Sequence, residues 1–173
     1  MKKLLILAGI CLAGILMAGC TKEEIKENKL TIGNYSSPVT VGVMLSSEMN
    51  HHVGGPGYHL DMDATLNGIS CHLFINASAS CKGKKVNLGK FDSGVNYHFE
   101  INSDASVGYP FDVHQYNEPG MGSEIEHSSA GTWFKSGTME INDDGKNISI
   151  KAEGALQDGR NFSLKAKGPK TTE

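Results

Sequence analysis

The sequence predicts an all-β protein: a single antiparallel β-sandwich or partly open barrel that ends in a three-strand meander. Three observations carry this. Apolar and polar residues alternate with period two along most of the chain beyond residue 30, as strands with one dry and one wet face do. No stretch there repeats its apolar residues at helical spacing. Finally, 21 Gly and 5 Pro punctuate the alternating runs, as short strands joined by turns require. With 173 residues the chain suits one domain with its own core.

Taken in order, Val39, Val41, Val43 and Leu45 alternate with Thr40, Gly42, Met44 and Ser46. Tyr58, Leu60, Met62, Ala64 and Leu66 alternate with His59, Asp61, Asp63, Thr65 and Asn67, and Val95, Tyr97, Phe99 and Ile101 alternate with Asn96, His98, Glu100 and Asn102. Val107, Tyr109, Phe111 and Val113 repeat the pattern, with Pro110 marking an edge or a bulge. The meander is expected over 132–142, 147–155 and 160–167. A type I′ turn at Asp144-Gly145 sets Ile141 opposite Ile148 and Met139 opposite Ile150. A three-residue loop, Gln157-Asp158-Gly159 with Gly159 left-handed, pairs Ala152 with Leu164 and Ile150 with Ala166. Nine or ten strands result. Ser47–Gly57 and Gln115–Gly131 are expected to be long loops where a ligand or partner is read.

Charge narrows the function classes. There are 16 Lys+Arg against 19 Asp+Glu, and Arg160 is the one arginine. A nucleic-acid binder needs a basic excess and guanidinium forks, so that class is set aside. A hydrophobic content of 39% argues against a multispanning membrane protein.

The N-terminus reads as an address. Lys2 and Lys3 precede an apolar stretch from Leu4 to about Met17, too short for a bilayer span and laid out like a secretory signal peptide. Leu16-Met17-Ala18-Gly19-Cys20 resembles the lipobox of bacterial lipoproteins, with Met17 where the family prefers Leu. The resemblance implies that residues 1–19 are removed and that Cys20 is acylated, anchoring the chain through several acyl chains. Cys20-Thr21-Lys22-Glu23-Glu24 is similar to the export signal of Bacteroidetes-type surface lipoproteins, which implies the outer membrane and its exterior face. Residues 20–29 would form a charged tether, 30–168 the β domain and 169–173 a flexible tail. Loss of Lys2 and Lys3 leaves 14 basic against 19 acidic residues, a formal charge of −5. Such a domain has no electrostatic reason to lie on an anionic surface and is expected to stand off it. Phe134-Lys135-Ser136-Gly137-Thr138-Met139 and Asp158-Gly159-Arg160-Asn161-Phe162 resemble the C-terminal hairpins of small Bacteroidetes lipoproteins without assigned functions, which implies a fold and no chemistry.

With Cys11 in the signal and Cys20 acylated, Cys71 and Cys81 remain as a pair. An even pair in an oxidising envelope reads as a disulfide, provided the chain folds back between them near Asn76–Ser80.

His59, Asp61 and Asp63 share one polar strand face, with His51 and His52 a loop away. Imidazoles and carboxylates two apart on a strand can converge on zinc or another transition metal when a loop adds a ligand. Haem capture is the weaker form of this alternative. Against it stands the plain need of an alternating strand for polar residues outside. Glu140-x-Asn142-x-Asp144-Gly145 fails as a calcium loop because Lys151 stands where a bidentate carboxylate is required. No GxSxG or HExxH occurs, and adjacent Cys71 and His72 point to opposite strand faces. An enzyme is therefore not expected, and no cofactor is called for. His114 and Tyr116, beside the second long loop, are the expected exposed contacts for a ligand. The sequence thus points to a lipid-anchored binding or structural module whose partner is a glycan or an envelope protein.

Overall fold

The computed structural model describes residues 24–119, 124–128 and 131–172. The signal segment and Cys20 lie outside the described residues. Ten strands are present: β1 (Lys29–Ile32), β2 (Tyr35–Asn50), β3 (Gly55–Leu66), β4 (Ile69–Ser78), β5 (Lys85–Asn87), β6 (Tyr97–Ser103), β7 (Val113–Asn117), β8 (Phe134–Asp143), β9 (Asn147–Leu156) and β10 (Asn161–Thr172). Single 3-10 turns follow β4 and β6. All strands belong to one sheet, ordered β5-β8-β9-β10-β1-β2-β3-β4-β6-β7 and curled into a half-barrel. The partly open barrel is the architecture, with no second stacked sheet among the described residues.

The alternating patterns explain the core. Tyr58, Leu60, Met62, Ala64 and Leu66 of β3 and Tyr97, Phe99 and Ile101 of β6 all turn inward and are buried. Phe99 (β6), Phe134 (β8) and Phe162 (β10) meet edge to face, with centroids 5.0–5.6 Å apart. The two halves of the sheet therefore pack against each other across the interior, and their outer faces point opposite ways. Among the described residues no buried apolar residue precedes Leu30.

The curl brings β7 and the β5–β8 edge together without a continuous ladder between them. Gln115 of β7, wholly buried, spans this seam. Its Nε2 donates to Leu88 O, just past β5, and to the Tyr97 hydroxyl, while its Oε1 accepts from Phe134 N at 3.0 Å. Backbone bonds His114 N to Thr132 O (2.9 Å) and Thr132 N to Asp112 O (3.0 Å) extend the closure.

Several sequence expectations are corrected. In β2 a bulge between Val41 and Val43 shifts the alternation by one, so Met44 is buried and Val43 exposed. The Asp144-Gly145 hairpin is displaced by two residues: Ile141 pairs with Ile150, Met139 with Ala152, and Asp143 with Ile148. The physical reason lies in the aspartates. Asp143 Oδ1 accepts from Gly145 N, and Asp144 Oδ1 accepts from Lys146 N and Asn147 N, so Gly145-Lys146 form the turn's centre. A two-residue slip leaves every side chain on its expected face. The Gln157-Asp158-Gly159 loop matches expectation, with Leu164 opposite Ala152 and Gly159 at φ 88°. Residues 169–172 are strand rather than tail, since Lys170–Thr172 pair in parallel with Met44–Ser46 where β1 has ended. The loop at 47–57 shrinks to the turn 51–54, because β2 and β3 continue into it.

The expected disulfide is absent. Cys71 and Cys81 are buried free thiols. The chain does not fold back where a bridge needs it to, because β4 runs unbroken from Ile69 to Ser78 and carries the two cysteines toward opposite ends of the strand. Burial raises the pKa of both thiols.

Candidate functional site

The predicted histidines do share one face. Register places His59 (β3), Asn76 (β4), His98 (β6) and Tyr116 (β7) in one cross-strand row, with Asp61, Phe74, Glu100 and His114 in the next. The β2–β3 turn folds over this face, so that His52 lies edge-on to Phe74 (5.3 Å) and His98 (6.0 Å). His59 also meets Phe74 (4.7 Å), and His98 meets Tyr116 (5.0 Å). Five rings thus form one edge-to-face chain.

Their polar atoms are turned toward one another. His59 Nδ1 lies 3.1 Å from Asn76 Oδ1, and the same oxygen accepts from Asn50 Nδ2 at 3.0 Å. His98 Nε2 pairs with Glu118 Oε1. Burial, with the Glu100 carboxylate beside it, pushes the Tyr116 hydroxyl up to about 12. His114 is held near Asp112 (Nε2 to Oδ2, 3.6 Å), and its side chain is only 12% exposed. His114 is therefore largely covered rather than the open contact expected, while Tyr116 is half-buried on the same face.

The metal grouping is also corrected. His51 projects from the turn, His52 and His59 pack on Phe74, and Asp61 and Asp63 instead flank His72, whose Nδ1 lies 3.7 and 3.1 Å from their carboxylates. Among the described residues no three such donors are placed to hold a metal ion. The five residues fail to converge because β3 spreads its outward side chains along its length, and the turn brings in an aromatic contact rather than a ligand.

A second constellation escaped the sequence reading. At the end of the barrel where the β1–β2 and β9–β10 turns meet residues 108–112, Tyr35 and Tyr109 are 44% and 49% exposed, with Val107 beside them in sequence. Tyr35 lies edge-on to Phe111 at 5.6 Å. Arg160 sits 5.9 Å over the same ring, donates from Nη1 to Pro110 O (2.7 Å), and grips Asp158 through Nε (2.8 Å) and Nη2 (2.6 Å). Burial of Asp158 works against its charge, but the Arg160 hydrogen bonds outweigh it and hold the carboxyl below its ordinary value. Gly108 and Tyr109 both have positive φ, 82° and 58°. For a bulky residue before proline this backbone costs about 1–3 kcal/mol and is found where function demands it. The alternation through Val107, Tyr109 and Phe111 read as a strand. The Gly108-Tyr109-Pro110 punctuation was the available signal for a turn.

Trp133 is half-buried and stacks on His127 at 3.8 Å. Comparison with known proteins finds no matching family model, no matching curated sequence and no matching solved structure. Among the described residues no helix is long and apolar enough to cross a membrane.

Proposed function

We propose that this chain is a bacterial outer-membrane lipoprotein, fastened through Cys20 and displayed on the cell exterior, that binds a glycan without transforming it. The receptive surface is the barrel end carrying Tyr35, Tyr109 and Arg160. The observation that supports this is the pair of exposed tyrosines set around a clamped arginine, one of them held in a costly backbone conformation. Tyrosine and arginine supply binding energy at low entropic cost, and ring faces stack on the apolar faces of sugars. The clamp to Asp158 and Pro110 fixes the arginine before a ligand arrives, which lowers the ordering cost of binding.

Two measurements test the reading. Palmitate supplied to cells labels the intact chain and not Cys20→Ala; absence of label refutes the anchor. On a glycan array the domain binds, and Tyr35→Ala/Tyr109→Ala loses the signal. An array without hits, or hits indifferent to both tyrosines, refutes the glycan and leaves a protein partner as the tested successor.

A further inference from the structure

The segments that build the barrel end with the two exposed tyrosines are tied to one another. Gly33 N donates to Asn161 O at 2.8 Å, linking the β1–β2 and β9–β10 turns. Arg160 Nη1 on Pro110 O and the Tyr35 ring on Phe111 link both turns to the loop before β7. Arg160 is seated where the three meet. Its guanidinium lies over the Phe111 ring, and its stem runs so close to Gly33 that a Cβ there would come within 3.3 Å of Cδ.

The charges of these segments are few and lopsided. Residues 33–35, 104–112 and 157–161 hold Asp104, Asp112, Asp158 and Arg160, with no lysine, histidine or glutamate. Asp112 is buried and bound by the N–H and hydroxyl of Ser103, while Asp104 and Asp158 are exposed. The Ser106 N–H holds the Asp104 carboxyl below its ordinary value, and Arg160 does the same for Asp158 against a burial that opposes its charge. Both are therefore anions at neutral pH. Arg160 is no free cation to set against them. It directs Nε and Nη2 at one oxygen of Asp158, at 2.8 and 2.6 Å, and Nη1 at Pro110 O. Three of the five N–H groups of a guanidinium are engaged in this way, so a ligand meets at most two donors and a charge already balanced. The other polar side chains exposed on these segments, Asn34, Ser106, Gln157 and Asn161, add amides and a hydroxyl without charge.

We infer that this barrel end selects neutral glycans and rejects acidic ones, taking sugars that carry hydroxyls and apolar C–H faces but no carboxylate, sulfate or phosphate. The inference rests on the glycan reading and deepens it by naming the class of sugar. Hydroxyls match the amides and the remaining guanidinium donors, and apolar ring faces match the tyrosines. A sugar carboxylate would lose hydration beside Asp104 and Asp158 and find no unpaired cation in return. The chain's formal charge of −3 adds a weak repulsion of polyanions at long range.

The test is a glycan array printed with matched pairs, each a neutral oligosaccharide and its uronate- or sialate-bearing counterpart. It is probed with the full chain in a polyoxyethylene detergent, which carries no sugar. In titrations of the leading pairs, neutral members are expected to bind about tenfold more tightly than their acidic counterparts. Raising the salt is expected to leave the neutral signal in place. Asp158→Asn removes the balancing carboxylate and narrows the preference on the order of tenfold. A lead of acidic members, or a preference unmoved by Asp158→Asn, overturns the inference. Should that variant fail to fold, salt decides: a wild-type signal that fades as salt rises reports charge recognition and overturns it equally. Acidic hits lost in Tyr35→Ala/Tyr109→Ala overturn the neutral class alone and keep the glycan site. Hits on neither class, or hits indifferent to the tyrosines, overturn the glycan reading and this inference with it.

Discussion

Replacing Gln115 by alanine tests whether one buried amide closes the barrel. The side chain is fully enclosed and satisfies Leu88 O, the Tyr97 hydroxyl and Phe134 N from three separate segments. Alanine leaves a buried carbonyl and a buried N–H without partners, at about 1–3 kcal/mol each, while the tyrosine hydroxyl can reorient. The expected loss is about 3–5 kcal/mol, a large share of the 5–15 kcal/mol typical of a domain. Urea unfolding followed by far-UV circular dichroism should show a lower midpoint with unchanged slope. Amide exchange at Phe134 should accelerate, since its N–H loses its acceptor. A loss below about 1 kcal/mol, with Phe134 still protected, would refute the assignment of the seam to Gln115 and leave the Thr132 backbone bonds as its fastening.

Three further outcomes follow from the fold. Alkylation of the protein should modify neither Cys71 nor Cys81 until denaturant is added, and a reductant should leave the unfolding midpoint where it was; a shift would restore the disulfide. Asp143 is almost fully buried and accepts from Lys170 Nζ at 2.8 Å with Lys82 3.7 Å away. Burial opposes its charge, but Lys170, the Gly145 N–H and Lys82 together hold the carboxyl below its ordinary value. Its stabilising contribution is therefore complete above about pH 4 and fades as pH falls through the lowered value. Wild-type stability should drop more steeply in acid than that of Asp143→Asn, a difference readable from urea midpoints at successive pH values. Gly154→Ala should cost about 1–3 kcal/mol by overpacking, because an added Cβ would lie 2.8 Å from Gly137 Cα across the β8–β9 ladder; an unchanged midpoint would show that the two strands can part.

Period-two patterning is legible wherever a strand keeps its phase. It placed the inward residues of β3 and β6 correctly, and turn chemistry fixed the β9–β10 register to the residue. It failed where backbone geometry changes without announcing itself in composition. The β2 bulge moves Met44 inward, and the two aspartates of the β8–β9 turn outcompete the favoured Asp-Gly hairpin for the backbone N–H groups. The cysteine pairing failed for a related reason, since nothing in the alternation of β4 revealed that it continues to Ser78. At the sites, the sequence could place His59, Asp61 and Asp63 on one face, but their partners depend on strand order. Asn76 and His72 come from elsewhere in the chain. Tyr35 meets Phe111, two residues beyond Tyr109, only because distant turns share one end of the barrel.

The order of the strands has a consequence for biogenesis. β10 is the partner of β1 and then of β2, so the middle of the sheet is sealed by the strand that lies furthest from them in sequence among the described residues. Until that segment is free, the earliest strands lack one neighbour, and pairings so distant along the polypeptide are slow to form. A nascent chain of this design leaves β1 and β2 incompletely paired until the 12 residues of β10 have been made.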